Sequence, residues 1–316
     1  MFRSNTAEFP VKTATSRPKR ARLAELSNLK EGFATSYDGT KIWYRSMGKG
    51  APLVFCNGLG CSTFYFKHIS EYFKHKYQVI LFDWRAHGQS QRPVKDDSMS
   101  VDAVTLDLKA VLDHLGIKKA TLVAHSMGVQ IVYNFYAAYP KRVTALVPCF
   151  GTFGRPMDTF YDLTLSKYVF EWIYIFNHLF PRVAAKMGSL TEKNPFWFQM
   201  GSVLKMFNPG LVDKDILREY IDHFTSVDPV LLTKLLRSMQ EHSAEADLKK
   251  IKAPTLIFAG DQDKFTPVWI AKKMHHLIPK SELMIIKNAS HVGLAEQPAL
   301  INLRIEKFLK ERLKNN

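Results

Sequence analysis

Cysteine is scarce in this sequence: the 316 residues contain three, Cys56, Cys61 and Cys149. Three cysteines are too few for a disulfide scaffold, and an odd number leaves at least one thiol unpaired. We therefore predict reduced thiols in a reducing compartment. The sequence also lacks a Cys-x-x-Cys pair and any cysteine–histidine spacing typical of zinc sites, so we expect neither a metal nor a cofactor.

Long apolar runs are missing as well. The most apolar window covers residues 168–180, only 13 residues, and it includes Glu171, Asn177 and His178. A membrane-spanning helix needs about 20 predominantly apolar residues. The first 22 residues lack the apolar core of a signal peptide. These absences predict a cytoplasmic protein, and the lack of internal repeats argues against solenoids and propellers.

Negative charge is in deficit, and the formal net charge is +15. Residues 1–30 carry seven Lys and Arg against two acids, whereas residues 151–247 carry ten against twelve. No aromatic-interleaved basic motif typical of nucleic-acid-binding modules is present, so we expect no nucleic acid as partner. An excess of this kind keeps a protein soluble, and it is compatible with peripheral contact with an anionic membrane surface.

The pattern of apolar residues predicts an α/β fold with a mainly parallel, doubly wound sheet. Two segments that flank Asp38-Gly39, 33–37 and 41–46, indicate a β-hairpin, because Asp-Gly favours tight turns between antiparallel strands. Short apolar runs typical of strands buried on both faces follow at 53–56, 79–82, 121–124, 143–147, 255–259 and 283–286. Helical patterns at 102–115, 129–138, 268–277 and 300–313 alternate with most of these runs, which indicates βαβ units.

Three parts follow from this pattern. We predict that residues 1–30 form a basic, flexible arm and that residues 31–150 and 251–316 form the core. Residues 151–250, inserted after the sixth strand, show helical periodicity and no convincing strand, so we predict a helical cap. Open α/β sheets bind ligands beyond the carboxyl ends of their strands, which places this cap over the candidate site.

The cap contains a broad apolar helix face. Tyr168, Trp172, Ile175 and Leu179 recur at helical spacing, and Val169, Ile173, Phe176 and Phe180 line an adjacent face. One interpretation is packing against other cap helices, such as one that holds Phe196, Trp197 and Phe198. The other, which we favour, is that Trp172 and Phe176 line a pocket for an acyl chain.

The strongest chemical signal is the segment 121–128, which reads TLVAHSMG. A buried-type strand runs into small-x-Ser-x-Gly and a helical pattern follows, which is the context of a nucleophile elbow. Ser126 is the predicted nucleophile. The positions two residues before and after it must be small because they pack against neighbouring backbone, and here they are Ala124 and Gly128.

A serine nucleophile needs a histidine base and an acid that orients this base, in the chain order Ser, acid, His. Asp263 follows the fifth apolar run and His291 follows the sixth, so each lies beyond the carboxyl end of a predicted strand. Asp261 is the alternative acid, but it lies closer to the strand and suits hydrogen bonds to loop amides. We predict the triad Ser126, Asp263 and His291.

Stabilising a tetrahedral oxyanion requires two backbone amides. One is expected from Met127, the residue after the nucleophile. The other is expected from Leu59, within the glycine-rich loop Asn57-Gly58-Leu59-Gly60 that follows the first apolar run. The alternative interpretation of this loop is an ordinary glycine turn.

These motifs resemble the α/β-hydrolase superfamily over about residues 30–150 and 250–312. The segment 83–90, DWRAHGQS, is similar to the family's D-x-R-G-x-G-x-S loop, which we interpret as structural. Departures are Ala86 and Ala124 where glycine is usual, Asn57 in place of a common histidine, and Ser290 in place of a glycine. The resemblance implies that epoxide hydrolases and haloalkane dehalogenases, which carry aspartate at the elbow, do not fit Ser126.

The resemblance and the triad together predict a serine hydrolase that cleaves a carboxylic ester. An apolar acyl chain, as in a monoacylglycerol or a lysophospholipid, is the favoured substrate feature. An enol-lactonase or a carbon–carbon bond hydrolase is the alternative, since the same triad serves those reactions. A non-catalytic lipid-binding protein and an acyltransferase on the same fold are further alternatives.

Overall fold

Eight strands form one sheet in the computed structural model, which describes residues 28–162, 165–191, 201–202 and 206–313. The strand order is β1-β2-β4-β3-β5-β6-β7-β8. β1 and β2 form an antiparallel hairpin, β2 pairs antiparallel with β4, and all other pairs are parallel. The strands are Lys30–Thr35 (β1), Lys41–Met47 (β2), Pro52–Cys56 (β3), Gln78–Phe82 (β4), Ala120–His125 (β5), Val143–Cys149 (β6), Thr255–Gly260 (β7) and Ser281–Ile286 (β8). The mainly parallel sheet predicted from the sequence is confirmed.

Helices cover both faces of this sheet. In the described part of the chain, the α-helices are Lys67–Phe73 (α1), Val101–His114 (α2), Gly128–Ala138 (α3), Ser166–Leu179 (α4), Pro181–Thr191 (α5), Lys214–Ser226 (α6), Pro229–Glu241 (α7), Glu245–Leu248 (α8), Val268–Leu277 (α9), Gly293–Glu296 (α10) and Pro298–Leu313 (α11). One apolar cluster packs α2, α3 and α9 on the sheet, and a second packs α1 and α11 on the opposite face. β5 contributes Leu122 to the first and Val123 to the second, which explains its continuous apolar sequence.

The hairpin differs in detail from the expectation. The sequence predicts an extended segment over 33–37, directly before Asp38-Gly39, but β1 ends at Thr35. The reason is the loop that follows. The Ser36 amide donates to the Thr40 carbonyl at 2.9 Å, and the Ser36 hydroxyl donates to buried Asp107 at 2.5 Å. Gly39 has φ +87°, a conformation that glycine adopts without the strain other residues incur.

The segment between β6 and β7 is helical, which confirms a cap after the sixth strand. Asp213 and Asp228 accept hydrogen bonds from the first amides of α6 and α7, as N-terminal caps do. The same two carboxylates reach the core, because Asp213 lies 2.8 Å from His68 and Asp228 lies 2.7 Å from Arg92. A further ion pair joins Lys234 to Asp97 at 2.9 Å. The cap is therefore held on the core by polar contacts at several points.

Two predicted features lie outside the described residues. These are the basic arm, apart from residues 28–30, and the segment with Phe196, Trp197 and Phe198. Within the described ranges, no helix combines the length and apolar character needed to span a bilayer.

Candidate active site

The nucleophile elbow lies between β5 and α3. Ser126 has φ +54°, a left-handed conformation that costs energy for a residue with a side chain and is typical of a strained elbow. A Cβ at Gly128 would lie 2.2 Å from the Asn57 carbonyl oxygen, so only glycine fits there. Ala124, two residues before Ser126, is fully buried and fits with its methyl group. The glycine of the small-x-Ser-x-Gly pattern thus has a steric cause, and its first small residue lies in the buried core.

Three side chains from separate strand ends meet in one chain of hydrogen bonds. The Ser126 hydroxyl donates to Nε2 of His291 at 2.8 Å, and Nδ1 of His291 donates to Oδ2 of Asp263 at 3.0 Å. Ser126 follows β5, Asp263 follows β7 and His291 follows β8. Parallel strands end at the same edge of the sheet, which explains how residues 165 positions apart come together.

Asp263 is buried and fully engaged. Its Oδ1 accepts from the amides of Phe265 and Thr266 at 2.8 and 2.9 Å, and its Oδ2 also accepts from the Thr266 hydroxyl at 2.7 Å. Asp261 is exposed. The structure therefore brings Asp263, and not Asp261, to the histidine.

The ring and main chain of His291 are held by aromatic neighbours that the sequence analysis missed. Phe265 stacks on the imidazole with ring centroids 4.8 Å apart. Nε2 of His125 lies 3.0 Å from the His291 carbonyl oxygen, which can only accept, so this nitrogen carries the proton. Burial lowers the pKa of His125 well below its usual range, and neighbouring His291 acts in the same direction. His125 is thus a neutral support and not a second base.

Two backbone amides adjoin the nucleophile without a partner among the described residues. They belong to Leu59 and Met127, the residues predicted for the oxyanion hole. The loop approaches Ser126 closely, because a Cβ at Gly58 would lie 2.9 Å from the Ser126 Cβ. Unpaired amides beside a nucleophile are suited to bind a developing negative charge.

The oxyanion loop is also held by two histidines. The Gly60 amide donates to Nε2 of His87 at 3.1 Å, and Nδ1 of His223 donates to the Gly60 carbonyl at 2.8 Å. Nε2 of His223 accepts from the Gly88 amide at 2.8 Å. Because His223 belongs to cap helix α6, the cap is bonded directly to the loop that carries Leu59. No sequence motif pointed to this residue.

The burial of His87 should make the stability of the protein depend on pH. Its burial lowers the pKa to about 4, whereas a histidine in an unfolded chain titrates near 6.5. Between these values the unfolded chain binds more protons, so the free energy of unfolding falls as the pH falls. At pH 5 the loss from His87 alone is about 2 kcal/mol.

We therefore expect the free energy of unfolding, measured with urea, to fall from pH 7 to pH 5 in both proteins. The fall in His87→Gln should be smaller than the fall in the wild type by about 2 kcal/mol. Comparing the two proteins at both pH values separates His87 from the other titrating groups, which both share. Equal losses in wild type and variant would show that His87 does not remain neutral in the fold.

Ser290, which replaces a family glycine, has a structural explanation. Its hydroxyl donates to Oε1 of Glu296 at 2.6 Å, and its amide donates to Oε2 of the same carboxylate at 2.8 Å. Glu296 Oε1 also accepts from the Asn208 amide at 2.6 Å. Ser290, the residue before His291, is therefore joined through the buried Glu296 carboxylate to Asn208 in the cap segment.

An apolar wall lies beside the histidine. It consists of core and cap residues that pack against one another and are buried or half-buried: Tyr65, Val212, Ile216, Leu217, Tyr220, Val292 and Ala295. Val292 directly follows His291, and Tyr65 lies 3.2 Å from Nε2 of His125. The wall thus adjoins the site from the side of cap helix α6.

The predicted acyl-pocket residues of α4 are placed differently from the expectation. Trp172 is 73% exposed and Phe176 is 38% exposed. Such exposure does not suit residues that line an enclosed pocket. The prediction that this segment is a helix is confirmed. The broad apolar face of α4 lies on the side away from α7, because Phe170 and Asn177 occupy the buried side.

The cysteine thiols are buried and poorly suited to act as nucleophiles. All three cysteines are free and buried, and burial raises the pKa of Cys56 to about 12. No group of histidine, cysteine and carboxylate side chains in the described ranges could hold a metal ion. The Ser126 hydroxyl, in contrast to these thiols, is hydrogen-bonded to an imidazole.

The chain matches a known protein family over most of its length. Residues 51–298 match the family described as alpha/beta hydrolase fold. The chain belongs to this family. The match spans the elbow, the cap and both other triad positions.

Individual relatives are distant. A mouse protein named epoxide hydrolase 4 is 25% identical over an alignment of 290 positions that covers 88% of this chain and 79% of the relative. A 3-oxoadipate enol-lactonase from Acinetobacter baylyi is 26% identical over 260 residues, 82% of this chain and 88% of the relative. The solved esterase from Thermogutta terrifontis has a TM-score of 0.71 at 21% identity and covers 89% of this chain and 98% of its own. This last similarity shows the shared fold.

Proposed function

We propose that this α/β hydrolase cleaves a carboxylic ester through the triad Ser126, His291 and Asp263. The observation that carries the proposal is the continuous hydrogen bonding from the Ser126 hydroxyl through His291 to Asp263. A serine hydroxyl is a weak nucleophile, and a neutral imidazole within hydrogen-bond distance can take its proton.

The proposed reaction has two halves. Ser126 Oγ attacks the ester carbonyl while His291 Nε2 takes the hydroxyl proton, and the Leu59 and Met127 amides stabilise the oxyanion. His291 then gives this proton to the leaving alcohol, and an acyl-enzyme remains. Water, deprotonated by the same histidine, attacks the acyl carbon, and Ser126 recovers its proton as the acid leaves.

The apolar wall supports an apolar acyl chain as the substrate feature. Cap residues Ile216 and Leu217 face core residues Val292 and Ala295, and Val292 is the neighbour of the catalytic histidine. These side chains are buried against one another, so an alkyl chain extending from the carbonyl would have to insert between them, and it would then exchange water for apolar contacts. Monoacylglycerols and lysophospholipids have such chains.

A series of p-nitrophenyl esters tests this proposal. Each methylene that leaves water contributes about 0.8 kcal/mol, so we expect kcat/KM to rise up to about fourfold per carbon from acetyl to octanoyl. Leu217→Ala should flatten this slope, since it removes part of the wall. Trp172→Ala, whose side chain is exposed, should leave the slope unchanged. A wild-type preference for acetyl would contradict the apolar substrate.

An enol-lactonase is the second candidate, because a relative with that name aligns over most of the chain. A lactone is an internal ester, and the same triad can open it. A panel containing a polar enol-lactone beside octanoyl esters and monoacylglycerols separates the two. Higher kcat/KM for the lactone would favour this candidate, and labelling of Ser126 by a fluorophosphonate would argue against a non-catalytic lipid-binding protein.

A further inference from the structure

Among the described residues, the largest set of exposed apolar side chains lies in the cap, on the consecutive helices α4 and α5 and on the residues directly before and after α4. We call it the α4–α5 face. Its members are between 38% and 73% exposed: Leu165, Tyr168, Val169, Trp172, Ile173, Ile175, Phe176, Leu179, Phe180, Val183 and Met187. Soluble monomers rarely expose large continuous apolar patches, and those that do use them for binding.

The orientation of α4 is fixed by its opposite side. The Asn177 amide group donates to the Pro229 carbonyl at 3.2 Å, and the Arg237 guanidinium lies over the Tyr174 ring at 4.5 Å. Phe170 is buried on the same side. At about 100° per residue, the exposed apolar positions cover an arc of about 160° on the side away from α7. Among the described residues, these contacts of α4 lie on this one side, and its outer arc is exposed.

Charge around the face indicates the kind of partner. Lys167 and Arg182 are exposed on the same two helices. The one acid between residues 165 and 187 is Glu171, which lies 4.0 Å from Arg237 of α7. Aromatic and aliphatic side chains beside cations are typical of helices that lie in a membrane interface with anionic lipids.

We propose that the α4–α5 face docks on the surface of a lipid bilayer that contains anionic lipids, with α4 lying in the plane of the interface. α4 has 14 residues and is therefore about 21 Å long. A second copy of the chain fits this face less well, because symmetric pairing brings the same cations together. The proposal goes beyond the hydrolysis reaction and does not depend on it.

Vesicle co-sedimentation of the full chain tests the proposal, with Ser126→Ala as background so that hydrolysis cannot alter the lipids. The vesicles are phosphatidylcholine alone and phosphatidylcholine with a quarter phosphatidylglycerol. The test variant combines Tyr168→Ser and Leu179→Ser, both on the exposed arc. The matched control is Leu303→Ser, which changes a residue that is 60% exposed on core helix α11.

We expect binding to the anionic vesicles, weaker binding to neutral ones, a loss of about tenfold or more in the double variant, and no change in the control. Circular dichroism should be the same for all proteins, since the changed side chains are exposed. Equal binding of the double variant would place the contact elsewhere and overturn the proposal. Absence of vesicle binding by the wild-type face would also overturn the proposal. The proposal would likewise fail if the protein self-associated through this face, with the double variant losing self-association and not lipid binding.

Discussion

Replacement of Ser126 by alanine is expected to lower kcat for ester hydrolysis by about 10⁵- to 10⁶-fold, because removing one triad member disables the unit. The remaining rate should exceed that of water by about 10³–10⁴, since the Leu59 and Met127 amides still polarise the carbonyl. The measurement is steady-state hydrolysis of p-nitrophenyl octanoate by both proteins.

A covalent probe provides the control for this result. A fluorophosphonate should modify the wild-type protein at Ser126 and leave the alanine variant unmodified, as shown by mass spectrometry of the labelled peptide. Alanine preserves the Cβ and removes only the hydroxyl, so urea unfolding should show a folded variant. Activity within tenfold of wild type, or labelling at another residue, would rule out Ser126 as the nucleophile.

The placement of the triad could be predicted because its information is local. Ser126, Asp263 and His291 each follow a buried apolar run, and parallel strands end at one edge of the sheet. Knowing that three runs are strands is therefore enough to expect their following loops to meet. The order of strands in the sheet was not needed for this conclusion.

The contribution of His223 could not be predicted in the same way. It lies in cap helix α6 and bonds to Gly60, 163 residues earlier in the chain. A histidine within a polar helix face has no local pattern that separates it from a solvent-exposed one. Its role depends on how the cap docks, which tertiary packing decides.

The face of α4 shows a different limit. Helical periodicity correctly predicts that Tyr168, Trp172 and Leu179 share one side of a helix. A pocket lining, a core contact and an external docking face all produce this same pattern. Which of the three applies depends on the side of α4 that α7 covers. The buried residues Asn177 and Phe170 show that α7 covers the side opposite to Tyr168, Trp172 and Leu179.

Asp263→Asn gives the sharpest test of the acid, because the change preserves shape and alters only hydrogen bonding. Oδ1 of Asp263 accepts from two amides, so the asparagine oxygen must remain there and its NH₂ group must face Nδ1 of His291. Nδ1 then has to accept, which moves the imidazole proton to Nε2. A protonated Nε2 cannot take the proton of Ser126.

We therefore expect Asp263→Asn to lower kcat by about 10⁴-fold, and Asp261→Asn, the matched change two residues away on an exposed side chain, to alter it by less than about threefold. Both variants are measured with p-nitrophenyl octanoate and with the rate of fluorophosphonate labelling, which should fall in parallel because it depends on the same nucleophile. A larger loss in Asp261→Asn would transfer the orienting role to that residue. Activity of Asp263→Asn within tenfold of wild type would mean that His291 holds its tautomer without a carboxylate, in conflict with the buried contacts that fix Asp263 against it.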